Sequence, residues 1–487
     1  MLAALHSLIT IPAAVRSRLN RKQRIALLSG TPFWNRSLMS SVSQSPAPLK
    51  LSLFKLAGPT IIGNLLLSLV HLAAIKIVAE LGAEAVAAVI AADRIYMAVQ
   101  LIIFSITAGT TAMVAYAWGS RNVDEADRVV KMSSVLTLAA SLVLCALIPW
   151  LSTPLVAIFG LRGTMLEEAS LYLELLIYFN VFFSFLAVIS AALRAAGDAL
   201  TPVWIAAIGN IANIVLAYML VYGIGPFPAM GIQGAAVAAG LSYALVTGIF
   251  YWMWRQRRLL LKPQKQAFMQ RERLHKLVRI AVPAGIEQSI FNVSIIAFMW
   301  VVSLYGTEAF TAYGIGVNIL SISIVIGMGF AIATATMAGQ NLGAGLPDEA
   351  ERAAWRNLKI SFCTMAAIGL VIGINARLIG SFFISDPLVL DYLVALTVMV
   401  AIVQPMMSIE FTLGGALRGA GDTRSPARIT LTGFLFGRVV LTAVFFWLEL
   451  GVYWVYGALI ADYVIKSSMY FYIFRKGRWK TAMAGAR

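Results

Sequence analysis

The sequence predicts an all-α integral membrane protein with twelve transmembrane helices, arranged as two six-helix lobes. Three observations lead to this fold class. Of the 487 residues, 60% are hydrophobic and 12% are charged, whereas a soluble domain carries roughly 25% charged residues. Apolar segments of about 20 residues, the length that crosses a bilayer, occur roughly twelve times along the chain. A basic segment at residues 255–279 divides them into six and six.

The first segment, residues 1–50, is basic and contains no acid; the first acid of the chain is Glu80. Its apolar run, Met1 to Val15, precedes its arginines, which is the reverse of the order in a secretory signal. The segment resembles an organellar transit peptide. It is also compatible with a disordered cytoplasmic tail, or with translation that starts at Met39. The sequence leaves these alternatives open.

The apolar segments define the two lobes. The first lobe covers residues 51–254, and the second covers residues 280–474, followed by a basic tail at 475–487. The predicted spans of the first lobe lie at 53–79, 87–115, 131–152, 168–191, 202–223 and 233–254. Those of the second lobe lie at 280–304, 310–337, 358–380, 388–415, 426–447 and 453–474.

Positive charges assign the loops to the two sides of the membrane. Lys and Arg cluster in alternate loops, in the central segment 255–279 and in the tail, whereas the remaining loops contain only Arg162 and Arg377 beside several acids. Because basic residues are retained on the cytoplasmic side, both termini and the central segment are predicted to be cytoplasmic. The net charge of +16 therefore reflects orientation in the lipid bilayer, and no nucleic-acid partner is expected.

The two lobes are predicted to be copies of one another. Matching positions are Pro59 and Pro283, Gly82 and Gly306, Gly119 and Gly343, Leu193 and Leu417, and Pro202 and Pro426. The positions of every pair differ by 224, as 283 does from 59. Because each copy has an even number of spans, both point the same way, and a pseudo-two-fold axis along the membrane normal is expected to relate them. This architecture is typical of alternating-access transporters.

A repeated turn, with the pattern Leu-Arg-x-Ala-Gly-Asp-x-x-x-Pro, connects the fourth and fifth spans of each lobe. It contains Arg194 and Asp198 in the first copy and Arg418 and Asp422 in the second. Gly permits the turn, Asp can accept hydrogen bonds from nearby backbone N–H groups, and Pro begins the next helix. These residues are therefore expected to be structural. Pro59 and Pro283 lie inside their helices, where they permit a bend.

Three segments resemble motifs of the multidrug and toxic compound extrusion (MATE) family. They are residues 109–119, 333–345 and 416–423, the last of which reads Ala-Leu-Arg-Gly-Ala-Gly-Asp-Thr. The resemblance covers roughly residues 53–474. It implies a monomeric antiporter of the bacterial inner membrane that exports small organic, often cationic compounds in exchange for protons or sodium ions. No other cofactor is implied, and no catalytic or metal-binding motif points to an enzyme.

Charges inside the bilayer are candidates for function, because each costs about 2.5–3.5 kcal/mol at a helix centre on insertion scales. Glu287 in the seventh span and Glu410 in the tenth are predicted to couple ion movement. The alternative is that they are packing carboxylates held by neighbouring groups. Asp462 and Lys466 lie four residues apart in the last span, so they can neutralise each other.

The first lobe holds a third candidate for ion coupling, Asp93 in the second span, which Lys76 could neutralise. Many members of the MATE family carry acids in this lobe at positions where this chain has Ala74 and Ala217. The absence of both acids favours ion coupling through the second lobe.

Uncharged polar side chains are candidates for lining a cavity. They are Asn180, Asn210, Asn213 and Gln288. The alternative role for the asparagines is hydrogen bonding between helices. Where the family often carries His-Gln, this chain has Tyr313-Gly314, so no role carries over there.

Two other functions are compatible with this composition. A lipid-linked oligosaccharide flippase of related fold would share the helical architecture, although such flippases often carry fourteen spans and a cationic cavity. A membrane channel or receptor without coupled transport is the second. The ungapped repeat and the motif at 416–423 favour the exporter.

Overall fold

The computed structural model describes residues 52–261 and 268–483. The leader 1–50, the middle of the basic segment 255–279 and the end of the tail 475–487 lie outside the described residues. The helices are α1 (Leu53–Ala79), α2 (Ala83–Gly119), α3 (Val123–Ala157), α4 (Thr164–Ala196), α5 (Leu200–Tyr222), α6 (Gly231–Arg255), α7 (Arg271–Ser303), α8 (Thr307–Gly343), α9 (Pro347–Ile374), α10 (Ala376–Phe383), α11 (Pro387–Gly419), α12 (Arg424–Thr432), α13 (Leu441–Trp447) and α14 (Val452–Arg475). A π-helix, Gly433–Val440, joins α12 to α13, and a 3-10 turn, Arg478–Thr481, follows α14.

The described helices have the length and composition of membrane spans. Eleven of them are long and apolar enough to cross a bilayer, when Arg424–Trp447 is taken as one. Helix α14 is also long enough, but Asp462 and Lys466 lower its mean hydropathy. The predicted all-helical membrane fold is confirmed, and the helix count agrees with twelve spans.

Several helices extend beyond the predicted spans, because an apolar run marks only the part of a helix that lies in lipid. Helix α3 was expected at 131–152 but begins at Val123, where the Asn122 side chain accepts a hydrogen bond from the backbone N–H of Glu125 at 3.0 Å. Its additional first turn carries Asp124 and Glu125. Acids near a helix N-terminus interact favourably with the helix dipole.

The ninth span differs from the prediction of one helix at 358–380. Helix α9 ends at Ile374, and the short α10 follows after Asn375. The side chain of Asn375 donates to the backbone carbonyl of Val371 at 2.8 Å, which provides a partner for one of the free carbonyls at the end of α9. Asp386 then caps α11 by accepting from the backbone N–H groups of Leu388 and Val389 at 2.9 and 3.0 Å.

The eleventh span, predicted as one helix at 426–447, contains the π-helix. Its counterpart in the first copy, α5, is an uninterrupted α-helix of 23 residues, whereas Arg424–Trp447 has 24. The π turns are therefore a feature of the second copy alone, because the matching residues 209–216 are α-helical. Such π segments are frequently found at functional sites.

The two halves meet where α2 crosses α8. This end of the bundle carries Arg121, Arg194, Arg418 and Arg475, and it is called the basic face below. A Cβ added to Gly119 would overlap the carbonyl group of Gln340, and one added to Gly343 would overlap that of Tyr116. Because residues 116 and 119 match 340 and 343 in the repeat, the contact is reciprocal. It marks the position of the pseudo-two-fold axis.

The first helix of each half packs on the opposite half. Leu277 of α7 belongs to a buried cluster with Val129 and Ile189 of the first half. Its counterpart, Leu53 of α1, belongs to a cluster with Phe330 of the second half. The halves are therefore interlocked near the basic face through their first helices as well as through α2 and α8.

Candidate functional site

An ion pair links α7 to α11 in the second half. The Glu287 carboxylate accepts a hydrogen bond from Arg418 at 2.7 Å, and the two side chains are 13% and 26% exposed. Glu287 lies four residues after Pro283 on α7, and Arg418 lies in the last turn of α11. The coupling candidate thus has a resident cation, which comes from the repeated turn motif.

A second group of charges links α11, α14 and the π-helix. The Nζ atom of Lys466 lies 3.1 Å from an oxygen of Asp462 and 3.6 Å from an oxygen of Glu410. Asp462 also accepts from Nε of Arg438 at 2.8 Å. The pairing predicted for Asp462 with Lys466 is confirmed, but Lys466 is shared with Glu410.

The π-helix positions Arg438 against α14. Arg438 is buried, and its guanidinium lies 5.7 Å from the centre of the Phe298 ring. Gly437, next to Arg438, and Gly433, about one turn earlier, pack directly on Asp462 and leave no room for a side chain. The close approach of the two helices therefore depends on these glycines. Sequence reasoning missed Arg438, although an arginine inside a predicted span is itself a signal.

The six side chains of these two groups are balanced, with three carboxylates and three cations. Burying an unpaired ion is far more costly than burying a hydrogen-bonded pair. Loss or gain of one charge in this network consequently leaves its positive and negative charges unbalanced. Such an arrangement can convert protonation or ion binding at a carboxylate into movement of a helix.

Asp93 lies apart from this network, on α2 of the first half. It is half-buried, and its carboxylate accepts a hydrogen bond from the hydroxyl of Tyr172 at 3.3 Å. Lys76, the predicted neutralising cation, is exposed, and no ion pair between it and Asp93 is present in the described part of the chain. The reason is geometric, because Lys76 lies in the last turn of α1 and its side chain is turned to the outside.

The polar candidates occupy different environments. Asn180 is fully buried; it accepts from the hydroxyl of Tyr96 at 3.4 Å and donates to the hydroxyl of Ser141 at 3.1 Å, so it bonds α2, α3 and α4 together. Asn210 and Asn213 on α5 are half-buried, and Gln288 on α7 is exposed. The last three side chains are accessible, whereas Asn180 is enclosed.

The repeated turns have the same geometry in both halves. Asp198 accepts from the backbone N–H of Thr201 at 3.0 Å, and Asp422 accepts from that of Ser425 at 3.1 Å. Gly197 and Gly421, before the two acids, have φ angles of 103° and 82°, which favour glycine. The two arginines of the motif differ, since Arg418 pairs with Glu287 whereas the position matching Glu287 in the first half is Gly63.

Comparison with known proteins gives a consistent result. The family model described as MatE matches residues 59–219 and again residues 283–444. The chain is 28% identical over 440 residues to the probable multidrug resistance protein NorM of Thermotoga maritima, covering 89% of this chain and 93% of that protein. It is 27% identical over 348 residues to the FAD transporter of Shewanella oneidensis, covering 71% and 77%. A solved structure, described as an outward-facing conformation of a multidrug resistance MATE family transporter of the MOP superfamily, has a TM-score of 0.80 at 22% identity, covering 89% of this chain and 96% of that one.

Proposed function

The chain belongs to the MATE family of membrane transporters, which are not enzymes, and from that premise we propose that it is a secondary active antiporter. It exports small organic, often cationic compounds in exchange for protons or sodium ions by alternating access. The single observation that carries the coupling mechanism is the arrangement of Glu287 and Glu410, each held by a cation inside the membrane.

The resident cations suggest how ion entry moves helices. A proton or sodium ion that binds Glu287 competes with Arg418 for the carboxylate and weakens the contact between α7 and α11. Binding at Glu410 releases Lys466 fully to Asp462, which lies only 3.1 Å away. Departure of the ion restores both pairs. The driving ion thereby acts on the contacts between α7, α11 and α14.

The reciprocal contact between α2 and α8 at the basic face supports the proposal that the path between the lobes is closed on this side. We assign this side to the cytoplasm of a bacterial inner membrane, with both termini and the segment 255–279 on it, because Lys and Arg are retained there. The lobes 51–254 and 280–474 then rock about the crossing of α2 and α8, and Pro59 and Pro283 permit α1 and α7 to bend. The protein acts as a monomer, since both lobes are in one chain.

The substrate class follows from the relatives and from the accessible polar groups. The name of one relative refers to multidrug resistance and that of another to FAD. Gln288, Asn210 and Asn213 supply uncharged hydrogen-bonding groups that suit varied organic compounds. We place them in the substrate path.

The test is efflux of ethidium, a fluorescent organic cation, from proteoliposomes that contain the purified full-length protein. A pH gradient and a sodium gradient are imposed separately. Glu287→Gln and Glu410→Gln are each expected to lower gradient-driven efflux at least tenfold. Glu308→Gln, at an exposed carboxylate on the other side of the membrane, is the matched control and should match the wild type.

Full activity in both variants would refute the assignment of ion coupling to the second lobe. Transport by the wild type that ignores both gradients would refute the antiporter proposal and favour a flippase or a channel.

A further inference from the structure

We propose that Asp93 and the aromatic rings beside it form a binding site for the positively charged nitrogen of an organic substrate. This inference rests on the proposed export function and names the recognition site and the ligand class. The site lies in the first half of the chain, whereas the two coupling carboxylates lie in the second. Three features support it.

The first feature is the absence of a resident cation. Each of the three carboxylates of the charge network in the second half, Glu287, Glu410 and Asp462, has a Lys or Arg nitrogen within 3.6 Å. Asp93 has one hydrogen bond, from the uncharged Tyr172. Arg94 is adjacent in sequence, but its side chain is exposed, and no described cation forms an ion pair with Asp93. Since a carboxylate can accept about four hydrogen bonds, most of its capacity is unused.

The second feature is a row of aromatic rings. The row begins at Tyr172 of α4, whose hydroxyl donates to the Asp93 carboxylate at 3.3 Å, and it continues with Tyr243 of α6. The ring of Phe183 on α4 packs edge-on against Tyr243 with centres 5.3 Å apart, and Phe104 of α2 packs on Phe183 at 6.2 Å. Aromatic faces attract cations. A carboxylate beside several rings is therefore suited to an organic cation rather than to a bare ion.

The size of this row agrees with a drug-like ligand. Asp93 and Phe104 are eleven positions apart on α2, which corresponds to about 16 Å at 1.5 Å per residue. Asp93, Phe183 and Tyr243 are half-buried and Phe104 is exposed, so helix packing encloses none of the four side chains completely. In the proposed complex the charged nitrogen lies at Asp93 and the fused rings of the compound lie along this row.

The third feature is that the side chains around Asp93 are held in fixed positions. Tyr172 and Tyr96 are both buried, and Tyr96 is fixed by its hydrogen bond to Asn180. The titratable groups that face Asp93 are these two tyrosines and Tyr243, while Arg94 neighbours it on its own helix. The position that matches Asp93 in the second half is Val317, so this site has no second copy.

The test is equilibrium binding of ethidium to the purified full-length protein, followed by fluorescence anisotropy. Asp93→Asn, which keeps the side-chain shape, is expected to raise the Kd at least tenfold, and Asp93→Glu should stay within threefold of the wild type. Phe183→Ala should raise the Kd about threefold to tenfold. Glu174→Gln is the matched control, because Glu174 is also a carboxylate held by a hydroxyl, that of Ser152 at 2.6 Å, and should bind as the wild type does.

Unchanged binding by Asp93→Asn would overturn the site, and so would an equal loss in Asp93→Asn and Glu174→Gln. A wild-type protein that does not bind ethidium would also overturn it. If Asp93→Asn does not fold, the binding of Asp93→Glu and Phe183→Ala decides. Binding that depends on Asp93 without gradient-driven efflux would refute the antiporter and leave this site in place. Gradient-driven efflux that depends on Glu287, with binding independent of Asp93, would refute this site and leave the antiporter proposal in place.

Discussion

Arg418 and Glu287 form an ion pair at 2.7 Å although 131 positions separate them in the chain. The arginine belongs to a turn motif that is present in both halves, whereas the acid is present only in the second. A repeated structural element has thereby acquired a partner inside the membrane. The pair joins the helix that carries the turn to the helix that contains Pro283.

Substitution of Arg418 by Met should destabilise the protein by about 3 kcal/mol, because it leaves Glu287 as an uncompensated charge within the helices. The combination Glu287→Gln/Arg418→Met should lose less than the sum of the single variants, with a coupling energy of at least about 1 kcal/mol. Thermal unfolding in detergent measures all three. The control is Arg377→Ala, whose pair with Asp391 is 72% and 54% exposed; its effect should stay below about 1 kcal/mol. Additive effects would show that the two groups act independently.

Gly437→Ala should destabilise the protein by about 1–3 kcal/mol, since the added methyl group overlaps the backbone of Asp462 on α14. The displaced helix would also move Arg438 from its carboxylate partner. Gly457→Ala on α14 is the control, because no heavy atom lies within 4 Å of the added group; it should gain about 0.5–1 kcal/mol from helix propensity. Equal unfolding temperatures for the two variants would contradict the tight packing described for the π-helix.

Gly119→Ala should hold the basic face open, because the new methyl group overlaps the Gln340 carbonyl where α2 crosses α8. The distance between spin labels at positions 121 and 352, both exposed, should increase, and ethidium efflux should fall at least tenfold. Gly58→Ala on α1 has no atom within 4 Å of the added group and serves as the control. An unchanged label distance with normal efflux would contradict the tight packing described for the crossing of α2 and α8.

Lys480 should make stability depend on alkaline pH. Its hydrogen bonds to Glu351, and then to Asp348, raise the pKa of Lys480 above the ordinary value of 10.5. A folded-state pKa above the unfolded value stabilises the fold fully below about pH 10.5, and the stabilisation is lost as the pH rises through the folded-state pKa. At a pH above the folded-state pKa of Lys480, the unfolding temperature of Lys480→Met should therefore approach that of the wild type. Lys359→Met, at an exposed lysine, should show no such convergence.

The spans and the repeat could be predicted because lipid imposes long apolar runs and because matching turns use the same glycine, acid and proline. Helix ends were less predictable. The break at Asn375 lies within an apolar stretch and depends on a local hydrogen bond to Val371. The π-helix was not predictable from the repeat, because the matching residues of the first half form an uninterrupted α-helix.

The candidate site was predictable as a set of residues and not as a set of partners. Glu287, Glu410 and Asp93 are visible as charges in apolar runs. Which cation each one meets depends on helix rotation, and this decides that Glu287 is paired whereas Asp93 is not. Sequence reasoning offered Lys76 as a cation that could neutralise Asp93, but the side chain of Lys76 is exposed and turns away from it.

The reciprocal crossing of Gly119 and Gly343 has the form of an isologous dimer interface, in which the same patch serves both partners. A pair of separate identical chains with this interface would have to repeat every charge in both subunits. One chain that contains both copies is free of that constraint. The positions matching Glu287 and Glu410 in its first half are Gly63 and Leu186. Covalent linkage of the two copies therefore lets one half carry charges that the other half lacks at the matching positions.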